Sequence, residues 1–179
     1  MVVKLKRSAQ HKMIEIEKAN LNHLSSIMNI QKQVYPSSLI EDDYVFASII
    51  NQGYSMVAYK NNIIIGFLLA HKTKKDHMHR LHESLHNLDN LDNHDKHDKH
   101  DWFFIHDLSI DPSYHRQGIA RLLFEKFEID KNIQIIVVNN AEKFWHKMGF
   151  YDKLDVIIPD TIIQNYGGDK VTFMEKIQL

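Results

Sequence analysis

No cysteine occurs anywhere in the 179-residue chain. That excludes a disulfide framework, a cysteine-based zinc site and a thiol nucleophile, while serine is untouched by the exclusion. Charge of one sign is also scarce: 22 Lys and Arg against 23 Asp and Glu leave a formal net charge of −1. So small an imbalance provides no global attraction to nucleic acid or to acidic membranes. Lys4, Lys6 and Arg7 form only a short terminal cluster, read as a solvated arm over residues 1–12. No apolar run approaches the roughly 20 residues that span a bilayer, and the first residues lack the apolar stretch of a secretory signal. Neither G-x-x-x-x-G-K nor G-x-G-x-x-G is present, which removes the common fingerprints of kinases and dehydrogenases. The expectation is a cytoplasmic protein without a nucleic-acid or membrane partner, either a monomer or a homodimer.

What is present fits one domain over residues 13–179, with 44% hydrophobic and 25% charged residues. Met13 to Ile16 reads as an entering strand. Apolar residues from Leu21 to Ile30 recur at helical spacing, and that helix should stop at Tyr35-Pro36, because the residue before proline leaves the α region. A second helix is predicted over Leu39 to Ile50. Ser55–Tyr59 and Ile63–Ala70 flank Asn61-Asn62 and read as a hairpin, since asparagine tolerates positive φ. Residues 72–101 are a His/Asp-rich insertion of low complexity. With His71 they hold eight of the thirteen histidines, and the second half reads as a solvated loop. Its HDKHDKH spacing matches no defined metal site, so no metal is expected. Strands at Trp102–Ile110, Gln134–Val138, Val156–Ile158 and Val171–Ile177 then alternate with helices at Ile119–Phe127 and Ala141–Met148. This is an α/β (α+β) layout.

The informative stretch is Ile105 to Phe127, IHDLSIDPSYHRQGIARLLFEKF. A strand runs into a tight turn, and Gly118 opens an amphipathic helix. The first amides of a helix have no intrahelical partner, so such a junction suits an anion. Arg116 and Arg121 add charged donors for phosphate, and Ala120 keeps the next inward position small. HRQGIA after LSIDP resembles the acetyl-CoA signature of the GCN5-related N-acetyltransferases (GNAT), usually Arg/Gln-x-x-Gly-x-Gly/Ala, with His115 in the first place. The block Val138 to Phe150 is similar to that family's strand–helix ending in Tyr-x-x-x-Gly-Phe, with Trp145 where many members carry tyrosine. The resemblance covers nearly the whole domain. It implies a mixed, mostly antiparallel twisted sheet of six to seven strands, about four flanking helices, and acetyl-CoA as cofactor. It places the cofactor against Leu108, Ser109, Ile110, His115, Arg116, Gln117, Gly118, Ile119, Ala120, Arg121, Asn140 and Trp145.

Three short matches (Leu81 to Leu85, Phe104 to Leu108, and Val171 to Glu175) resemble the arylalkylamine N-acetyltransferase branch. There histidines of the strand before the signature relay the amine's proton. His106 matches one of that pair and Phe104 occupies the other place. An alkylamine has a pKa near ~10.4 and must lose a proton before attacking a thioester, which makes His106 the candidate catalytic base. In a regular strand His106 shares a face with Leu108, and Asp107 points the other way in a structural role. Trp145 carries no useful acidity, so either another group protonates the leaving thiolate or none does. Tyr35, Pro36, Glu41, Asp42 and Asp43 lie where the family places its substrate-gripping helices. The acidic trio suits a cationic amine or forms a solvated helix face. The leading expectation is acetyl transfer, by direct attack in a ternary complex, to the primary amine of an arylalkylamine-like or polyamine-like molecule. The alternatives are a protein N-terminal or lysine acetyltransferase and a non-catalytic acyl-CoA-binding domain.

Overall fold

The computed structural model describes residues 14–178 except 84, 86–100, 129, 139–140 and 169. The arm over 1–12 and half of the His/Asp-rich insertion lie outside the described residues. Seven strands form one sheet in the order β1-β2-β3-β4-β5-β7-β6. They are β1 (Glu15–Lys18), β2 (Met56–Lys60), β3 (Ile63–Thr73), β4 (Trp102–Ile110), β5 (Asn132–Val137), β6 (Tyr151–Asp152) and β7 (Thr172–Lys176). Among the described strands only β4 and β5 pair in parallel. Five α-helices are described: α1 (Leu24–Val34), α2 (Asp43–Asn51), α3 (Ile119–Phe127), α4 (Glu142–Lys147) and α5 (Asp160–Asn165). Among the described residues no helix is long and apolar enough to cross a membrane.

Each sheet face is buried by a different set of helices. α3 sets Ile119, Leu123, Phe124 and Phe127 against Leu68, Phe103, Ile105 and Ile133 of the strands. On the opposite face, Ile27 and Ile30 of α1 and Val45, Phe46 and Ile49 of α2 cover Val57, Phe67 and Leu69. A smaller cluster beneath α5 joins Phe104, Ile136, Ile162, Tyr166 and Phe173. The hairpin turn uses Asn61 and Asn62 at φ 52° and 63°, the backbone a two-residue turn needs to match strand twist.

Two predicted elements differ. The helix expected from Leu39 begins only at Asp43, because Ile40 and Asp42 are extended. The Gln31 side-chain amide accepts from Glu41 N at 3.1 Å and donates to Glu41 O at 3.3 Å, so these backbone groups are satisfied without a helical turn. The strand expected at 156–158 is also absent. Tyr151 and Asp152 already occupy the edge of β7, opposite Glu175 and Met174. Val156 and Ile158 turn instead onto the cluster beneath α5, and α5 itself was not predicted.

β4 carries the feature that shapes the site. Leu69 of β3 is opposite Asp107 and the next residue, Ala70, is opposite Ile105, which leaves His106 as an extra residue in β4. This β-bulge shifts the alternation of side chains by one. Phe103, Ile105, Leu108 and Ile110 face α3, whereas His106 meets Phe46 of α2 and Asp107 bonds Tyr35 just beyond α1.

Close packing at the end of β4 depends on Gly66. A Cβ there would lie 2.5 Å from Ile110 Cδ1 and 3.2 Å from Ser109 O. Gly66→Ala should therefore cost about 1–3 kcal/mol of stability, read as a lower urea midpoint with an unchanged slope.

Candidate active site

The parallel pairing of β4 and β5 ends at Ile105–Ile135, although β4 runs on to Ile110 and β5 to Val137. Past the bulge the two strands diverge, and a cavity of about 240 Å³ occupies the opening. His106, Asp107 and Leu108 form its β4 wall, and Ile136 and Val138 face them. Tyr35, Leu39, Leu81, Trp145 and Tyr166 add an apolar and aromatic lining.

On the β4 wall His106 Nε2 bonds Glu41 Oε2 at 2.5 Å, and both side chains are almost fully buried. Glu41 Oε1 accepts the backbone N–H of His82 at 2.6 Å. Burial pushes the His106 ring toward neutrality. The charge and hydrogen bond of Glu41, with Asp107 beside them, outweigh burial and raise its pKa above the ordinary histidine value. For Glu41 burial again acts against the charged form, but His106 and the His82 amide hold its pKa below the usual carboxylate value. Because carboxylate oxygens only accept, Nε2 carries the hydrogen and Nδ1 is left without a partner among the described residues.

Asp107 sits beside this pair. Its Oδ1 accepts from Tyr35 OH at 2.9 Å and from Ser109 Oγ at 2.7 Å. Burial raises its pKa to about 6, against the opposing effect of those two hydroxyls and of His106. Behind His106, the His71 ring lies 6.1 Å away and the His79 ring 4.1 Å beyond His71. Burial, with the charge of His106 next, drives His71 down to about 3, and burial together with the neighbouring rings drives His79 far down as well. Both are neutral at physiological pH. Among the described residues no group of three or more His, Asp or Glu is arranged to hold a metal.

At the far end of β4, Asp111 caps a single turn by accepting from Ser113 N at 2.8 Å. Arg116 and Gly118 follow in left-handed conformations, φ 60° and 80°, and Gly118 opens α3. His115 turns its ring inward to bond Ile110 O at 2.9 Å, so it braces the loop. Gln117 is exposed, Ile119 is buried in the core and Ala120 is half-buried. Arg121 pairs with Glu125 at 2.6 Å on the surface of α3. The first amides of α3 point out of the helix start, and beyond Ile105 the β5-facing edge of β4 has lost its strand partner. A glycine-opened helix and a free strand edge fit the pyrophosphate and pantetheine arm of acetyl-CoA. Trp145 is buried edge-to-face against Phe124 and Phe150 and also reaches the cavity. Asn140 lies outside the described residues.

His106, Leu108 and Trp145 thus meet at one cavity, while residues 115–121 form a separate loop at the start of α3. Asp107 was assigned to the opposite face from His106, and the bulge overturns that. Glu41 stood among three acidic residues with nothing to mark it as the buried one: Asp42 and Asp43 are exposed, and Glu41 is 3% exposed. Tyr35, expected near the substrate-gripping helices, bonds Asp107 at the cavity wall.

A family model described as an acetyltransferase (GNAT) domain matches residues 51–152, more than half of the chain. No curated protein matches the chain significantly. Among solved structures, Arabidopsis thaliana Naa50 in complex with the bisubstrate analogue CoA-Ac-MVNAL is 19% identical, with a TM-score of 0.65 over 93% of this chain and 99% of that one. PaiA N-acetyltransferase from Thermoplasma acidophilum in complex with coenzyme A is 16% identical, with a TM-score of 0.58 over 91% and 98%. The ribosomal-protein-S18-alanine N-acetyltransferase from Escherichia coli is 15% identical, with a TM-score of 0.56 over 91% and 92%. At such identities the likeness speaks for the fold, and the family match covers the diverging strands and the glycine-opened helix. The chain belongs to the GNAT acetyltransferases and is an acetyl-CoA-dependent N-acetyltransferase.

Proposed function

We propose that the acceptor is the primary amine of a small molecule, with Asp107 as its anchor and His106 as the base that deprotonates it. The observation that carries this reading is the cavity, whose wall joins an apolar, aromatic lining to two buried carboxylates. Its volume of about 240 Å³ lies below the roughly 300–1,000 Å³ typical of drug-sized ligands. The acceptor enters as an ammonium, since its pKa is near ~10.4. The Asp107 carboxylate draws that charge in, with Tyr35 and Ser109 holding Oδ1 in place. Glu41 keeps the hydrogen of His106 on Nε2, which leaves Nδ1 as the acceptor for the amine's proton.

Acetyl-CoA, when bound, supplies the thioester carbon. The neutral amine nitrogen would bond to that carbon as the C–S bond breaks, its second proton would pass to solvent as the amide forms, and coenzyme A would depart as thiolate with no acyl-enzyme. Backbone N–H groups in the Leu108–Ile110 stretch stabilise the oxyanion that forms. The same stretch holds the pantetheine arm, and the amides from Gln117 to Ala120, with Arg116 and Arg121, take the pyrophosphate. Trp145 walls the thiol end without donating an acidic proton. Since a thiol has a pKa near ~8.5, its thiolate leaves unaided at neutral pH.

Three measurements test this reading. A thiol-release assay with acetyl-CoA should show turnover on aromatic or aliphatic small amines, and turnover confined to peptide N-termini would overturn it. His106→Gln should cost about 10²–10⁴ in turnover. Its residual rate should track the neutral fraction of free amine, so that the deficit is largest at acidic pH, and an unchanged pH–rate profile would remove His106 from the mechanism. Glu41→Gln withdraws the charge that raises the His106 pKa, so the acidic limb should move to lower pH as turnover falls.

Asp107 yields a prediction about stability. Its folded pKa of about 6 lies above its ordinary value of 3.8, so the folded protein holds the proton more tightly. That stability is present below pH 4 and lost as pH rises through about 6. Asp107→Asn keeps an acceptor for Tyr35 and Ser109 and removes the buried charge. Above pH 6 it should be more stable than wild type by up to about 3 kcal/mol, at about 1.36 kcal/mol per pH unit. The gap should close toward pH 4 in urea titrations, and the KM for the amine should rise.

A further inference from the structure

The segment from Lys74 to His82 leaves β3 and crosses the cavity end of the sheet as a strap without regular structure of its own. Side chains from elsewhere in the fold satisfy its backbone. Gln134 of β5 donates to Lys74 O at 2.9 Å and His77 O at 2.8 Å, and accepts from Asp76 N at 3.0 Å. Tyr166 OH donates to His79 O at 2.9 Å. Asn165, the last residue of α5, takes both backbone groups of Leu81: its Oδ1 accepts from Leu81 N at 2.6 Å, and its Nδ2 donates to Leu81 O at 3.4 Å. The next amide along the chain, His82 N–H, is the one that bonds Glu41, from a left-handed backbone at φ 66°. Leu81 itself lines the cavity, whereas Asn165 does not.

We propose that Asn165 is a positioning residue for acetyl transfer: by holding both backbone groups of Leu81, it fixes the His82 amide on Glu41 and so keeps the Glu41–His106 pair set. The inference rests on the reading of His106 as the base. The physical reason lies in how little else orients the Glu41 carboxylate. Gln31 binds the backbone of Glu41 and leaves its side chain alone. The carboxylate is held by His106 on one oxygen and the His82 amide on the other. A left-handed, non-glycine residue such as His82 keeps that conformation only while its surroundings enforce it, and the Asn165 clamp one residue earlier does so. The sequence separation of 84 residues between clamp and strap means that α5 is the element through which the C-terminal part of the chain reaches the base.

The groups that face the pair from each neighbouring element are Asp107 on β4, His71 on β3, His79 and His82 on the strap, Tyr35 beyond α1 and Tyr166 beyond α5. A substitution at Asn165 replaces none of these side chains and acts on the pair through the His82 backbone, so a shift in the acidic limb reports the geometry of the Glu41–His106 pair.

The test compares wild type, Asn165→Ala, Asn165→Asp, His106→Gln and the His106→Gln/Asn165→Ala double variant, on the best small amine, across pH. Alanine is the best helix former and suits the end of α5, and folding of each variant is checked by circular dichroism. Asn165→Ala should raise the KM for the amine and lower kcat, together costing roughly tenfold in kcat/KM. The acidic limb should move to lower pH by about half a unit as Glu41 is loosened from His106. The KM for acetyl-CoA should stay as in wild type. Asn165→Asp retains the acceptor for Leu81 N and should restore the limb. In the His106→Gln background, Asn165→Ala should shift no limb. If Asn165→Ala lowers only the melting temperature, with the limb and the amine KM unmoved, Asn165 is structural and the proposal is overturned. Should Asn165→Ala fail to fold, Asn165→Leu, which is close in size and also removes both bonds to Leu81, takes its place: a limb displaced to lower pH upholds the proposal, and an unmoved limb overturns it. If His106→Gln keeps the wild-type limb, the assignment of the base has failed, an outcome distinct from a limb that needs His106 and ignores Asn165.

Discussion

One extra residue in β4 governs the rest of the site. Opposite Leu69 and Ala70 the strand carries three residues, Ile105, His106 and Asp107, where a regular ladder would place two. The bulge ends the parallel pairing with β5 at Ile105–Ile135, and the strands beyond it separate because no ladder holds them together. The same irregularity places His106 and Asp107 on one face, where an unbroken alternation would divide them. The cavity and the placement of His106 and Asp107 on its wall are thus consequences of a single local change in register.

Burying two carboxylates and an imidazole around one cavity is costly, and each group meets that cost differently. Glu41 stays charged because His106 Nε2–H bonds one of its carboxylate oxygens and the His82 amide satisfies the other. Among the described residues Asp107 has hydroxyl donors and no bonded cation, and burial raises its pKa to about 6. It is the group on the wall whose charge lacks a bonded counter-ion, which makes it the natural place for an arriving ammonium. His71 and His79, pushed down by the same burial without a carboxylate partner, remain neutral. Desolvation thus acts on five nearby groups, and the partner each has decides its protonation state.

Several elements were legible from local pattern. β4 at Trp102–Ile110 and α3 at Ile119–Phe127 were read with the bounds they have, because a β-branched and aromatic run and a helical apolar stripe are short-range signals. The Asn61-Asn62 turn was legible for the same reason. Where the reading failed, a distant contact had overridden the local pattern. Leu39 to Asp42 looked helical until Gln31, from the preceding helix, took the backbone of Glu41. Val156 to Ile158 looked like a strand, but the edge of β7 was already occupied. α5 escaped notice because its six residues carry one fully buried apolar side chain, Ile162, too few to show a period.

The sequence by itself determined the cofactor half: a strand, a capped turn, a left-handed glycine and an amphipathic helix are consecutive, and phosphate recognition there works through backbone amides that any such junction presents. It also singled out His106 as a candidate base, through the resemblance of Phe104 to Leu108 to the arylalkylamine N-acetyltransferase branch. Only the tertiary structure decided which carboxylates serve it. Glu41 meets His106 across 65 positions, Tyr35 meets Asp107 across 72, and Asn165 meets Leu81 across 84. Contacts of that range depend on strand register and helix docking, and a one-residue bulge that reverses a face leaves no mark in composition or periodicity.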